Sequence, residues 1–193
     1  MKLMKLDSDT NFIVSGLERS GTSMLMQILH AGSIPIEFDR SRKSDQDNPK
    51  GYYELEGGKI INKLIDKSFQ FDKYKGSFIK ITAYGLKFLP ISRYKIIYSE
   101  RNIEEILDSM EEMADIRDKA RDETKKAFIK LNNTIKETIS ERKDIDVLFI
   151  NYNEILANPN HEIKKILDFL EISVGDIDTM VKAIDRKLYR HKK

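Results

Sequence analysis

A short apolar strand that runs into a glycine-bounded loop constrains this chain more than any other feature. Residues 12–23 read Phe-Ile-Val-Ser-Gly-Leu-Glu-Arg-Ser-Gly-Thr-Ser, and a helix-like run of Met, Leu, Gln and Ile follows at once. This layout directs backbone N–H groups and the positive end of a helix dipole at one point, which is how proteins hold phosphate. Gly16 and Gly21 have the spacing of a Walker A loop, but Thr22 stands where its lysine belongs. The cation is instead Arg19, inside the loop, which predicts a site for a phosphate-like anion without the lysine of an ordinary NTPase.

Length and composition favour a single domain over residues 1–193. Of the 193 residues, 40% are hydrophobic and 34% charged. A chain of this length and composition can form a hydrophobic core that needs no disulfide or metal ion to stabilise it. The net charge of +2 gives no overall field that would recruit nucleic acid. The absence of cysteine excludes disulfides, thiolate chemistry and cysteine-ligated zinc. With no apolar run of membrane-spanning length and no signal-peptide pattern at its start, the sequence predicts a soluble, cytoplasmic protein.

Short apolar runs alternate with amphipathic stretches along the chain. The predicted strands cover residues 12–15, 78–81, 95–98 and 147–150. The predicted helices cover residues 22–31, 55–67, 103–113, a long stretch within 115–142, 161–170 and 176–184. Because nearly continuous apolar strands are typical of a sheet covered on both faces, this order predicts a three-layer α/β/α fold with a central parallel sheet. Ligands of such sheets bind beyond the carboxyl ends of the strands, where the loop after Ser15 would lie.

A second cation, Arg101, lies between a predicted strand and the next predicted helix. Asn102 would cap that helix, with Glu105 as the reciprocal residue of a capping box. Arg101 is therefore expected at the binding edge of the sheet, with Ser109 two turns into the helix. Since an arginine can extend along a helix, both side chains could contact one anion. The alternative is a surface salt bridge and a serine that faces water.

Four ordered segments resemble the sulfotransferase family. The Arg-Ser-Gly-Thr-Ser loop at residues 19–23 is similar to the family's 5′-phosphosulfate loop. Arg101 lies at the end of a predicted strand and Ser109 lies eight residues later, in the next predicted helix. The two resemble the pair of residues with which the family binds the 3′-phosphate. Residues 149–159 are similar to its strand-Tyr-Glu-x-Leu-x-x-x-Pro segment, and residues 166–172 to its closing helix.

Two further runs resemble a small bacterial and phage branch of this family. They are the Asp-Asn-Pro-Lys-Gly-Tyr-Tyr-Glu run at residues 47–54 and the basic ending at residues 185–190. The resemblance thus spans about residues 12–190 in the family's order, and it implies a P-loop-like, nucleotide-binding fold of the sulfotransferase type.

The resemblance implies transfer of a sulfuryl group from 3′-phosphoadenosine 5′-phosphosulfate (PAPS) to an acceptor hydroxyl or amine. Such a donor carries a phosphate and a phosphosulfate at opposite ends of an adenosine, which fits two separate anion sites. The family needs no metal for this chemistry, and no cluster of His or carboxylate residues here has convincing ligand spacing. Many cytosolic members have lysine where this chain has Arg19. The branch that acts on protein tyrosines and on some glycans has arginine.

The resemblance also implies a role for each candidate residue. Arg19 would bind the bridging and sulfuryl oxygens with the bidentate geometry of a guanidinium. The 5′-phosphate would contact the loop residues Ser20, Gly21, Thr22 and Ser23. Arg101 and Ser109 would bind the 3′-phosphate. Arg190 or Lys187 from the basic tail would fold back toward that group.

The proton of the acceptor must pass to a base. None of the three histidines lies in a convincing place, so a carboxylate is expected. In glycan and protein sulfotransferases a glutamate from this part of the chain serves as the base, which implies Glu54 or Glu37, with Glu54 preferred. The alternatives that stay open are Asp39, Asp45, Asp47 and Lys80.

Two other functions are compatible with the same fold. A P-loop nucleotide kinase would use the lysine that is missing here, together with a magnesium-binding aspartate at a strand end. A non-catalytic nucleotide-binding module would keep the fold without the chemistry. Fold does not select the acceptor, but the loops at residues 39–53 and 111–126 are expected to line its side of the site.

Overall fold

A parallel sheet lies at the centre of the computed structural model, which describes residues 4–39, 41–45, 48–173 and 176–189. Its strands are β1 Asn11–Gly16, β2 Phe78–Lys80, β3 Tyr94–Glu100 and β4 Ile145–Asn151. They lie in the order β2–β1–β3–β4, and each neighbouring pair is parallel. The four predicted strands and their parallel arrangement are confirmed.

Helices cover both faces of this sheet. They are α1 Thr22–Ala31, α2 Ile60–Ile65, α3 Ile103–Ala114, α4 Arg121–Glu141, α5 Tyr152–Ala157, α6 Pro159–Phe169 and α7 Ile177–Lys182. Short 3₁₀ segments lie at Glu56–Gly58, Phe71–Lys73, Ala83–Phe88 and Arg186–Leu188. The architecture is the predicted three-layer α/β/α fold.

A hydrophobic cluster lies on each face of the sheet, and the alternation of side chains in β1 contributes residues to both. Phe12 and Val14 pack in one cluster with α1, α6 and α7, whereas Ile13 packs in a second cluster with α2, α3 and α4. Successive side chains of a strand point to opposite faces of a sheet. Because apolar helices cover both faces, every residue of β1 is buried.

One helix prediction needs correction, and one helix was not predicted. The predicted helix 55–67 starts as a 3₁₀ turn and is α-helical only over Ile60–Ile65, because Gly57 and Gly58 have positive φ angles of 62° and 84°. The long helix predicted within residues 115–142 is confirmed as Arg121–Glu141, and it starts well after Asp115, whose left-handed conformation ends α3. Helix α5 was not predicted. It begins directly after β4, where the Asn151 side chain accepts N–H bonds from residues 153 and 154.

Candidate functional site

A cleft of about 360 Å³ lies at the carboxyl ends of β1, β2 and β3. The loop at residues 16–23, here called the anion loop, forms its floor. One wall is the arm, defined as residues 41–45 and 48–58. The opposite side is built from α3, Tyr152 and the 3₁₀ turn that contains Leu188. The cleft therefore lies at the edge of the sheet where the sequence predicts ligand binding.

Two glycines give the anion loop its shape. Gly16 has φ 152°, and a Cβ there would come within 2.5 Å of Ser20 Oγ and 2.6 Å of the Ser99 carbonyl. Gly21 has φ 101°, and a Cβ there would lie 2.3 Å from the ring of Tyr152. The Ser99 hydroxyl also donates to the Ser20 carbonyl at 2.6 Å, which anchors the loop to the end of β3.

The amino terminus of α1 opens into the cleft. The helix begins at Thr22 and has no side-chain cap, and the first N–H groups of a helix have no acceptor within it. Gly21, Thr22 and Ser23, three of the residues predicted to contact the phosphate, line the cleft. Ser20 does not line it, and its N–H donates to the Leu17 carbonyl at 3.2 Å. The Ser20 N–H group, which was expected to bind the phosphate, thus already has an acceptor within the loop.

Arg19 lies over the anion loop and reaches across to α3. Its φ angle is 64°, in the left-handed region, and the residue lines the cleft. Its Nε donates to Ser109 Oγ at 2.9 Å, and one terminal nitrogen lies 3.6 Å from Met113 Sδ. Ser109 is buried rather than facing water, so the alternative interpretation of this serine is wrong.

Arg101 is held rigidly between the anion loop and α3. Its Nε donates to Glu105 Oε2 at 2.9 Å, and a terminal nitrogen donates to the Arg19 carbonyl at 3.0 Å. Its guanidinium carbon lies 4.5 Å from the centre of the Tyr152 ring, a cation–π arrangement. The Arg101 side chain is 7% exposed, so it makes a buried ion pair and not a surface salt bridge.

The predicted capping box of α3 is only half correct. Asn102 does cap the helix, since its side chain accepts the Glu104 N–H at 2.9 Å. Glu105 does not reach back to Asn102. Its carboxylate is fully buried and binds Arg101, because a buried charge is stable only beside an opposite one.

A buried ion pair lies on the other side of the anion loop. Lys80 Nζ is 2.9 Å from Glu54 Oε1 and donates to Ser23 Oγ at 3.1 Å. Burial lowers the pKa of Lys80, and the negative charge of Glu54 opposes that shift. Arg42 from the arm contacts the second oxygen of Glu54 at 3.3 Å. Four cations, Arg19, Arg42, Lys80 and Arg101, thus line the same cleft as the Glu54 carboxylate.

Known proteins are similar to this chain in sequence and in fold. The sequence model of the sulfotransferase domain matches residues 9–192. The chain belongs to the sulfotransferase family. Among curated proteins, no sequence is a significant match.

Solved sulfotransferases share the fold of this family member. Mouse sulfotransferase SULT7A1 complexed with PAP superposes with a TM-score of 0.54 at 21% identity, over 93% of this chain and 64% of the mouse chain. The sulfotransferase domain of the Synechococcus PCC 7002 olefin synthase has a TM-score of 0.55 at 15% identity, over 100% and 87%. The domain from the curacin biosynthetic pathway has a TM-score of 0.52 at 12% identity, over 95% and 79%. At these identities the likeness extends to the fold alone, and this chain spans about two thirds of the mouse enzyme.

The candidate bases of this sulfotransferase occupy different surroundings. Glu54 lines the cleft with 12% of its side chain exposed, whereas Glu37 is exposed and does not line it. Asp45 accepts the Tyr52 hydroxyl at 2.7 Å, and Asp39 accepts the Glu56 N–H at 2.5 Å. The alternative base Lys80 is the partner of Glu54 described above.

Other predicted site residues lie outside the cleft or outside the described residues. Lys187 is exposed and does not line the cleft. Asp47 and Arg190 lie outside the described residues. Two residues that the sequence does not mark as site residues, Arg42 and Tyr152, also line the cleft. No local pattern marks Arg42, because its contacts depend on how the arm folds over the sheet.

Within the described ranges, no helix is long and apolar enough to cross a membrane. The same residues contain no group of three or more His, Asp or Glu side chains that could hold a metal ion. The cytoplasmic location, the absence of a nucleic-acid partner and the bacterial or phage branch stay predictions.

Substitution of Gly21 with alanine is expected to abolish nucleotide binding at the anion loop. The added Cβ would collide with Tyr152, so the loop or the ring must move. Gly51→Ala is the matched control, because Gly51 has a similar φ of 93° but open space around its Cβ position. Calorimetric titration with adenosine 3′,5′-bisphosphate should detect no binding to the first variant and near-normal binding to the second. Equal losses in both would mean that backbone strain, not the Tyr152 contact, governs the loop.

Proposed function

We propose that this protein transfers a sulfuryl group from PAPS to an acceptor hydroxyl or amine. The observation that carries the proposal is that one cleft is lined both by the uncapped amino terminus of α1 and by a buried arginine, Arg101, on a separate element. A nucleotide with a phosphosulfate at its 5′ end and a phosphate at its 3′ end needs two such anion sites. The mouse sulfotransferase of the same fold is complexed with PAP, which supports the donor class.

The donor would bind across the anion loop. The N–H groups of Gly21, Thr22 and Ser23 would hold the 5′-phosphate, because backbone donors and the helix dipole point there. Lys80 would add positive charge beside that phosphate through its contact with Ser23. Arg101 and Ser109 would bind the 3′-phosphate, and Arg19 would exchange its bond to Ser109 for the sulfuryl oxygens.

In the reaction, the acceptor oxygen or nitrogen attacks the sulfur while its proton passes to the Glu54 carboxylate. The bond between sulfur and the bridging oxygen breaks, and its electron pair stays on the 5′-phosphate. Arg19 and Lys80 neutralise the charge that develops there, which is the main contribution that a protein can make to such a transfer. The products are the sulfated acceptor and adenosine 3′,5′-bisphosphate.

Thermal unfolding in the presence of nucleotides tests the donor site. Adenosine 3′,5′-bisphosphate at about a hundred times its Kd should stabilise the fold by about 2.7 kcal/mol, which raises Tm by about 5–10 °C. 5′-AMP at the same concentration should give a much smaller shift, and magnesium should not be needed. A shift only with ATP and magnesium would support a kinase instead. Binding of the bisphosphate without any turnover of PAPS across a panel of phenols, sugars and amines would indicate a non-catalytic module.

A further inference from the structure

Glu105 links the cleft to a part of the chain that follows α7. Its carboxylate accepts hydrogen bonds from Arg101 Nε at 2.9 Å, from Asn153 Nδ2 at 3.0 Å and from the Tyr189 hydroxyl at 2.8 Å. Burial alone would raise the pKa of Glu105, but these hydrogen bonds lower it below its usual value. The group is therefore a carboxylate at neutral pH, and the hydrogen bonds described here stabilise its charge.

Tyr189 contacts the same arginine by a second route. Its ring centre lies 5.7 Å from the guanidinium carbon of Arg101 and 5.7 Å from the Tyr152 ring, edge to face. Arg101 thus contacts two aromatic rings, those of Tyr152 and Tyr189, and the Glu105 carboxylate. The described contacts engage two of the five N–H donors of its guanidinium, with Glu105 and the Arg19 carbonyl. Both fix the direction in which the guanidinium faces the cleft.

Tyr189 belongs to a short segment that forms part of the cleft wall. We call residues 185–189 the C-terminal segment. It contains a single 3₁₀ turn, and Asp185 and Leu188 line the cleft. The segment is tied to the arm, because Lys50 Nζ lies 3.6 Å from the Asp185 carboxylate. Since one turn has little stability of its own, its position depends on such side-chain contacts.

We propose that Tyr189 is a positioning residue for the anion site at Arg101, so that docking of the C-terminal segment and binding of an anion at Arg101 strengthen each other. The segment orients Arg101 through Glu105, and an anion on Arg101 stabilises the docked segment by the same factor, as thermodynamic linkage requires. The proposal rests on the proposed function for the identity of the anion, which is the 3′-phosphate of the donor. It adds a specificity determinant that does not touch the donor itself.

The variant Tyr189→Phe tests this role, because it keeps the ring and removes only the hydroxyl that binds Glu105. We expect the Kd of adenosine 3′,5′-bisphosphate to rise about tenfold, which corresponds to about 1.4 kcal/mol. The Kd of 5′-AMP should stay within about twofold, because that ligand has no 3′-phosphate. Arg101→Ala gives the full loss for comparison. Tyr74→Phe is the matched control, since Tyr74 packs against Phe69 and does not line the cleft.

Hydrogen exchange provides a second measurement that a merely structural role would not reproduce. The amides of Leu188 and Tyr189 donate within the turn, to Asp185 and Arg186. In the wild type, adenosine 3′,5′-bisphosphate should slow their exchange, and in Tyr189→Phe this protection should be lost. Equal weakening of both nucleotides, or an unchanged preference for the 3′-phosphate in Tyr189→Phe, would overturn the inference and leave the donor assignment intact.

Failure of the proposed donor would give a different pattern. The wild type would then bind both nucleotides alike or neither. The link can still be measured in the free protein, where Glu105→Gln should accelerate exchange at Leu188 and Tyr189 by about tenfold. Unchanged exchange in that variant would overturn the link between Glu105 and the C-terminal segment.

Discussion

Replacement of Arg19 by alanine should lower the turnover of PAPS by about 10²–10³-fold, the usual loss when one donor to a developing negative charge is removed. Arg19 is the cation within the anion loop, and the residue lines the cleft. The Kd of adenosine 3′,5′-bisphosphate should rise much less, by about tenfold at most, because the N–H groups at the start of α1 remain. Release of the bisphosphate from PAPS, with water and with the best acceptor of a screen, gives the turnover.

Two further variants make the Arg19 result specific. Arg93→Ala removes an arginine that is 72% exposed and lies just before the amino end of β3, at the opposite edge of the sheet from the cleft. Its turnover should be unchanged. Arg19→Lys keeps the charge without the bidentate geometry and should retain part of the activity, as in the cytosolic relatives that have lysine. A loss of binding as large as the loss of turnover in Arg19→Ala would assign Arg19 to ground-state binding and not to the transfer step.

Replacement of Glu54 by glutamine should lower turnover by about 10²–10⁴-fold, the range for loss of a general base. The amide has nearly the same shape and can still accept a hydrogen bond from Lys80, but it cannot take the acceptor's proton. The binding of adenosine 3′,5′-bisphosphate should therefore change little. Turnover and calorimetric titration on the same preparation separate these two effects.

Neighbouring glutamates supply the controls for Glu54. Glu56→Gln changes a partly exposed carboxylate two residues away that pairs with Lys63 and does not line the cleft. Glu37→Gln changes the other base that the sequence suggests, which is exposed and outside the cleft. Both should keep full turnover. If Glu37→Gln lost most of its turnover while Glu54→Gln stayed active, Glu37 and not Glu54 would be the general base.

The anion loop and the sheet were predictable because their signals are local. The spacing of Gly16 and Gly21 reflects backbone conformations and close contacts that only glycine allows. Continuous apolar runs identify strands buried on both faces, and β1 is such a strand. The placement of Arg19 and Ser23 at the cleft follows from the loop and the helix after it, and neither depends on distant parts of the chain.

Glu105 shows why local patterns fail elsewhere. Its spacing from Asn102 is that of a capping box, and a capping box is what the sequence predicts. Two of its partners in the structure, Asn153 and Tyr189, are 48 and 84 residues away. Because burial makes an unpaired carboxylate costly, these distant donors and Arg101 determine its role, not the helix start.

The different surroundings of the two candidate bases are likewise a product of the tertiary structure. The sequence offers both Glu37 and Glu54 and prefers Glu54, but it does not show which of the two lies in the cleft. The contact of Lys80 with Glu54 joins the end of β2 to the arm and draws that carboxylate into the cleft. Glu37 follows Ile36, which pairs with Phe78 at the start of β2, and its side chain is left in solvent.

The sequence by itself determined the parallel α/β sheet, the anion loop with Arg19 and the membership of the sulfotransferase family. These depend on periodicity and on backbone geometry over a few residues, which short windows of sequence encode. Only the tertiary structure decided that Glu105 pairs with Arg101, that Lys80 pairs with Glu54 and that the Tyr189 hydroxyl binds Glu105. Those pairings arise because charges removed from water must find opposite charges or donors, and the fold brings the partners from distant parts of the chain.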